Sequence, residues 1–415
     1  MKIQEAARRL SVLLCFVIPF SIAAIEILFP VLLTAWIIGW VRTKQTVWRL
    51  PAGRSILSPL AVYLLLCALS ILFSSHPRLS IEGFFEKTLE YLLFFIILAD
   101  LANHPKMTER HITALLAAAF LVCLYGVVQE WAVSRFVGPG VALDPIRGKP
   151  LTYNRMIGPY SNPIDLATFL MVAVLLLLPR AVSSTRAHKA LLWPLGILAV
   201  GCIIWTESKG AILGLGCGLL LLFLIDPAVA RLKRLLIFSF IAATIFFFFK
   251  DKDLLGAFVL ADPGTLERSI MLDTAWRMIK AEPLVGHGLN TFMANYMSYV
   301  AGPNQGPAYA HNCFFQIAAE TGLPSLFFFL LSLVRLFEQL LPKTGEPSTR
   351  AALTGAAAGL FGFLVQSAFD TNFYSLRQAV LFWALAGSGI GCAFRLLQDQ
   401  RQRHESGAVE TAVTR

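Results

Sequence analysis

Long apolar runs separated by short polar turns organise this chain. The runs lie near 9–23, 25–41, 55–74, 80–99, 111–133, 162–180, 190–205, 208–225, 232–249, 320–341, 351–369 and 376–395. Each approaches the about 20 residues that a helix needs to cross a hydrocarbon layer of roughly 30 Å. The pattern predicts an all-α polytopic membrane protein with about 12 transmembrane helices.

Two polar segments are too long to be turns, 134–161 and 250–310. The first, with Gly138-Pro139-Gly140, Pro145, Pro150 and Gly158-Pro159, reads as an irregular loop. The second carries a helical pattern from Thr265 to Lys280 with Ile270, Ala275, Trp276 and Ile279 at its apolar positions, and Glu282-Pro283 stops it. A further short helix is expected near Thr291 to Val300. Residues 1–397 therefore read as one transmembrane domain that includes both loops. The tail, 398–415, reads as cytoplasmic and disordered because it is polar.

Basic residues orient the spans. Arg8/Arg9, Arg42/Lys44/Arg49/Arg54, Lys106/Arg110, Arg180/Arg186/Lys189, Arg231/Lys233/Arg234, Lys343/Arg350 and the tail from Arg395 fall in alternate loops, which puts both termini in the cytoplasm. That alternation requires a break within residues 11–40, expected around Ala23 to Glu26. Met1 to Ala24 imitates a signal peptide, but a second apolar run follows at once without an A-x-A site, so it is read as retained.

Composition narrows the class. With 57% hydrophobic and 14% charged residues and a mean hydropathy of +0.67, an ordinary soluble domain is excluded. The net charge of +10 is mostly orientation signal, and basic residues scattered among short loops give no nucleic-acid surface. Membrane lipids are the expected surroundings. The seven cysteines form no CxxC pair and read as buried thiols.

Against the inward bias of positive charge, the external segments hold Arg135, Arg147, Lys149, Arg155, Lys209, Arg268, Arg277, Lys280 and Arg377. Arginine forks and lysine point charges suit phosphate oxygens, as on a lipid pyrophosphate. His311-Asn312-Cys313-Phe314-Phe315-Gln316, ahead of Glu320, Gly322 and Pro324, sets an imidazole at the membrane surface. Taken alone, His311 could equally be a hydrogen-bonded residue that begins a helix. Glu82, Glu86 and Glu90 make a stripe beside Lys87, for which ion pairing is favoured over catalysis. Asp251-Lys252-Asp253 is formally a D-x-D pair, yet acidic residues closing a membrane helix need no metal. No metal or other cofactor is expected.

His311-Asn312 followed after nine residues by Gly322, together with the R-x3-L run Arg268 to Leu272, resembles the motifs of the O-antigen ligase family. The resemblance extends to Thr206-Glu207-Ser208-Lys209-Gly210-Ala211, to Asn154-Arg155-Met156-Ile157-Gly158 before Ser161-Asn162-Pro163, and to Pro283 through Gly288, over residues 150–370. Ser325 departs from the family's usual Gly, Thr or Tyr, and Lys209 keeps charge but not the bidentate fork.

The resemblance implies a GT-C-type glycosyltransferase of the bacterial inner membrane, with a large helical periplasmic loop. It would join O-antigen polysaccharide from undecaprenyl pyrophosphate to a sugar hydroxyl of lipid A-core in lipopolysaccharide biosynthesis, inverting the anomeric carbon without a metal. His311 and Arg268 would be catalytic, with His311 acting as base or orienting the acceptor. Arg268, Arg155, Arg147 and Lys209 would hold the pyrophosphate, supported by Asn312, Glu86 and Arg277.

Three rivals remain. An O-antigen polymerase would share the donor, and Arg147 to Gly158 and Arg277 to Gly288 match its R-x10-G pattern. A protein O-oligosaccharyltransferase would use the same donor on a protein. A lipid-linked glycan transporter is disfavoured because the ionisable residues gather on one face rather than at mid-membrane.

Overall fold

The computed structural model describes residues 2–44, 46–136, 142–143, 150–151, 155–230, 263–301, 306–341 and 346–413. The chain begins with α1 (Lys2–Val17), α2 (Ile22–Thr43) and α3 (Pro51–Leu72). α4 (Pro77–Gly83) passes through a π-helical turn, Phe84–Leu89, into α5 (Glu90–Ala102). α6 (Met107–Phe136), α7 (Pro163–Ser183), α8 (Arg186–Trp205), α9 (Lys209–Ile225) and α10 (Pro227–Ala230) follow. Between α6 and α7, β1 (Ala142–Leu143) pairs antiparallel with β2 (Pro150–Leu151). The 250–310 segment contributes α11 (Pro263–Ala281) and α12 (Phe292–Tyr299), and α13 (Cys313–Thr321), α14 (Leu323–Leu340), α15 (Pro347–Ser367) and α16 (Leu376–Val413) complete the fold.

Eight helices among the described residues are long and apolar enough to cross a membrane. The protein is a polytopic helical membrane protein. The span expected at 232–249 lies outside the described residues.

Three boundaries differ from the sequence reading, each for a local reason. The first break falls at residues 18–21 rather than around Ala23 to Glu26, because the Ser21 side chain caps α2 by accepting from the Ala24 amide at 3.1 Å. The run 320–341 is two helices, divided at Gly322. At the C-terminus α16 continues to Val413, so the tail from 398 is helical where its polar composition had pointed to disorder.

Small residues let the central helices approach closely. Gly387 and Gly391 of α16, one turn apart, rest on the α5 backbone at Phe95 and Ala99, where a Cβ would overlap the carbonyls. α15 packs along α7 and α9 with Ala351, Ala352, Ala356, Ala357 and Ala358 buried. In contrast, Ile27, Leu65, Leu72, Leu191 and Ile197 point outward from α2, α3 and α8, the side that lipid would solvate.

The helices of the 250–310 segment have a small core that they share with α13. Ala275, Met278 and Ile279 of α11, Phe292 and Tyr296 of α12, and Ala310, Ala318 and Ala319 around α13 pack together. This core anchors the described part of the large loop over the start of α13.

Candidate functional site

The start of α13 is built from Asn312. Its side-chain oxygen accepts from the amides of Phe314 and Phe315, both at 3.0 Å, while its Nδ2 donates to the Ala368 carbonyl at 3.0 Å. The neighbouring Cys313 thiol donates to the Asp370 carbonyl at 3.2 Å. Burial pushes that thiol up to about 12, so it is a packed donor and not a nucleophile. One helix cap is thus stitched to the turn between α15 and α16.

His311, directly before the cap, is held at φ +48°, a backbone region that side chains other than glycine seldom adopt. Its ring stands beside Asp370, with Nδ1 3.3 Å from Oδ1. The Nδ1 atom is shielded from solvent and not aligned for a hydrogen bond, so the pair is a close electrostatic contact that a small ring rotation would close. The Asp370 side chain is only 12% exposed and that of His311 33%, which leaves part of the imidazole open. Asp370 was absent from the sequence candidates. Its only local signal was an acid in an external turn between two apolar runs, Asp370-Thr371-Asn372.

Glu320, at the far end of α13, pins the large loop. It accepts from the Asn290 amide at 2.8 Å, the Phe292 amide at 3.1 Å, the Tyr374 hydroxyl at 2.8 Å and the Gln316 side chain at 3.2 Å. Burial raises its carboxyl above the ordinary value, and these hydrogen bonds oppose that rise. Gly322 follows at φ +86° and lies so close to the Leu284 carbonyl that a Cβ would overlap it. That close approach lets the Leu323 amide reach the Pro283 carbonyl at 2.8 Å.

Residues 194–330 match the family model described as O-antigen ligase. That third of the chain is similar to the O-antigen ligase family. No curated protein matches it. The matched segment runs from α8 into α14 and contains Lys209, Arg268 and His311, whereas Arg155 and Asp370 lie outside it.

The expected cations have different surroundings. Arg268 stands exposed on α11. Arg155 donates from Nε to the Thr206 carbonyl at 2.6 Å, and the Met156 amide reaches the Trp205 carbonyl at 3.3 Å. These bonds dock the end of the 134–161 segment on the α8–α9 turn, at whose end Lys209 opens α9. Arg155 and Lys209 are therefore brought to one turn. Arg277 is paired with Asp273 at 2.7 Å. Arg377 is buried, donating to the carbonyls of Pro19 and Pro159 at 3.0 Å each, with its guanidinium 4.4 Å from the Tyr160 ring centroid. It ties the α1–α2 break to the 159–160 loop. Arg147, Lys149 and the Asp251/Asp253 pair lie outside the described residues.

The glutamate stripe divides. Glu82 pairs with Arg78 at 3.0 Å, as expected of a structural ion pair. Glu86 is exposed on the π-helical turn. Lys87 turns the other way and donates to Asn290 Oδ1 at 2.9 Å, a second link between the α4–α5 segment and the large loop. Among the described residues there is no cluster of three or more His, Cys, Asp or Glu side chains placed to hold a metal.

Proposed function

We propose that this protein transfers O-antigen polysaccharide from undecaprenyl pyrophosphate to a sugar hydroxyl of lipid A-core, at the periplasmic face of the bacterial inner membrane. The observation that carries the reading is the His311–Asp370 pair at the head of a helix in the family-matched region. With Nδ1 facing the Asp370 carboxylate, the tautomer protonated there leaves Nε2 as an acceptor. His311 takes the acceptor hydroxyl proton as its oxygen attacks the anomeric carbon. The bond from that carbon to the pyrophosphate oxygen breaks, its electron pair leaves with the diphosphate, and the anomeric configuration inverts.

Pyrophosphate departs without a general acid if cations meet its developing charge. Arg268 is assigned that task, with Arg155, Arg147 and Lys209 binding the donor and Asn312 fixing the His311 turn. Glu86 and Arg277 support the site's rim. The same reading includes a twelve-span GT-C architecture with both termini cytoplasmic.

The alternative is a polymerase that uses the same donor. The arginine of its second R-x10-G match is engaged by Asp273 on its own helix. A direct comparison separates the two. Purified protein, incubated in chelator with undecaprenyl-pyrophosphate-linked O-antigen and lipid A-core, is expected to build a ladder on lipid A-core in a gel. Longer undecaprenyl-linked chains beside untouched lipid A-core would make it a polymerase, and a requirement for added magnesium or manganese would refute the metal-independent mechanism.

A further inference from the structure

The outward side of α11 carries two rows of side chains at helical spacing. In one row, Asp273 and Arg277 satisfy each other. The other continues from Arg268 through Leu272 and Trp276 to Lys280 and contains no carboxylate. Leu272 is 38% and Trp276 45% exposed, an unusual surface for a helix whose opposite face packs in the external core. The indole is not loose. It rests against Phe315 of α13, ring centroids 6.3 Å apart, and the Lys280 ammonium stands 5.2 Å from its centroid. Phe315 lies on the first turn of the helix that His311 heads, so this platform borders the candidate site.

We propose that Leu272, Trp276 and Lys280 form the subsite that seats the phosphorylated oligosaccharide of the lipid acceptor. The proposal rests on the glycosyl-transfer reading above. A sugar ring presents C–H groups of partial positive charge to the negative face of an indole, and it is partly apolar there, as Leu272 is. Lys280 supplies a point charge within reach of a phosphate on a sugar stacked on that indole. The basic, carboxylate-free row is complementary to an anionic glycan. Arg268 and Trp276 are eight residues apart on one helix, about 12 Å at the α-helical rise, so α11 holds the donor diphosphate and the acceptor sugar as a single rigid spacer.

The test uses the full-length protein in detergent and deacylated, phosphorylated core oligosaccharide as a labelled probe, with binding measured by equilibrium dialysis in the absence of donor. Trp276→Ala is expected to weaken binding about tenfold, whereas Trp276→Phe stays within about threefold of wild type because the ring is kept. Phosphatase treatment of the probe should weaken binding to wild type about as much as Lys280→Gln weakens binding of the intact probe, and the two losses should not add. In transfer assays Trp276→Ala should raise the acceptor KM and leave the donor KM and kcat near wild type.

Unchanged probe binding by Trp276→Ala overturns the subsite, as does a Lys280→Gln protein that still senses probe phosphate in full. Loss of binding to anionic phospholipid vesicles in Trp276→Ala, with probe binding intact, also overturns it and makes the row a membrane contact. Wild type that binds the probe through Trp276 yet transfers nothing contradicts the transferase reading and leaves the subsite standing.

Discussion

His311→Ala protein is expected to insert and bind lipid-linked donor as wild type does, yet to turn over slower by a factor of about 100 to 10,000, the usual contribution of a positioned general base. Of the cations assigned to the donor, Arg268 lies on α11 and Arg155 and Lys209 at the α8–α9 turn, whereas the imidazole stands beside Asp370 at the head of α13. Its backbone is fixed by the neighbouring Asn312 cap, whose hydrogen bonds do not involve the imidazole ring. Asp370→Asn should also slow transfer, because an amide no longer favours the Nδ1-protonated tautomer. Combined with His311→Ala it should add little, since the two act as one unit. Donor binding by filter retention and single-turnover transfer separate these effects, and a fully active His311→Ala protein would end the assignment.

Glu320→Ala is expected to damage the fold as well as the activity. Removal of the carboxylate leaves the Asn290 and Phe292 amides and the Tyr374 hydroxyl without their acceptor in a buried place, at about 1–3 kcal/mol for each unsatisfied group. The sum is a large part of the roughly 5–15 kcal/mol by which domains are stable. Glu320→Gln should be intermediate. Each carboxylate oxygen accepts from a backbone amide that cannot turn away, so the new NH2 group must face one of them. Thermal unfolding in detergent checks the order, wild type above Gln above Ala. An unchanged melting temperature for Glu320→Ala would show that the large loop is anchored elsewhere.

The helices were legible because lipid demands long apolar runs whatever the tertiary fold. The external helix over Thr265–Lys280 was equally plain, since Glu282-Pro283 ended its period. Residues whose roles come from distant partners were not legible. Asp370 becomes significant only when the α15–α16 turn is sewn to the α13 cap, and no pattern around it announces that pairing. Arg377 looked like one more external cation, whereas two backbone carbonyls and the Tyr160 ring occupy it. The glutamate stripe assumed an unbroken α-helix, but the π-helical turn at 84–89 lies within it and Lys87 reaches Asn290 in the large loop. The His311 motif was visible in the residues themselves. Its carboxylate partner was not.

The proposed reaction is a single displacement at the anomeric carbon, with His311 receiving the acceptor proton. It is tested most directly by the new linkage itself. Purified protein is given undecaprenyl-pyrophosphate-linked O-antigen of known anomeric configuration and lipid A-core, and the linkage formed is read by NMR. A single displacement predicts a glycan on lipid A-core whose anomeric configuration is opposite to that in the donor. Retention of configuration would require a covalent glycosyl intermediate and would contradict the mechanism.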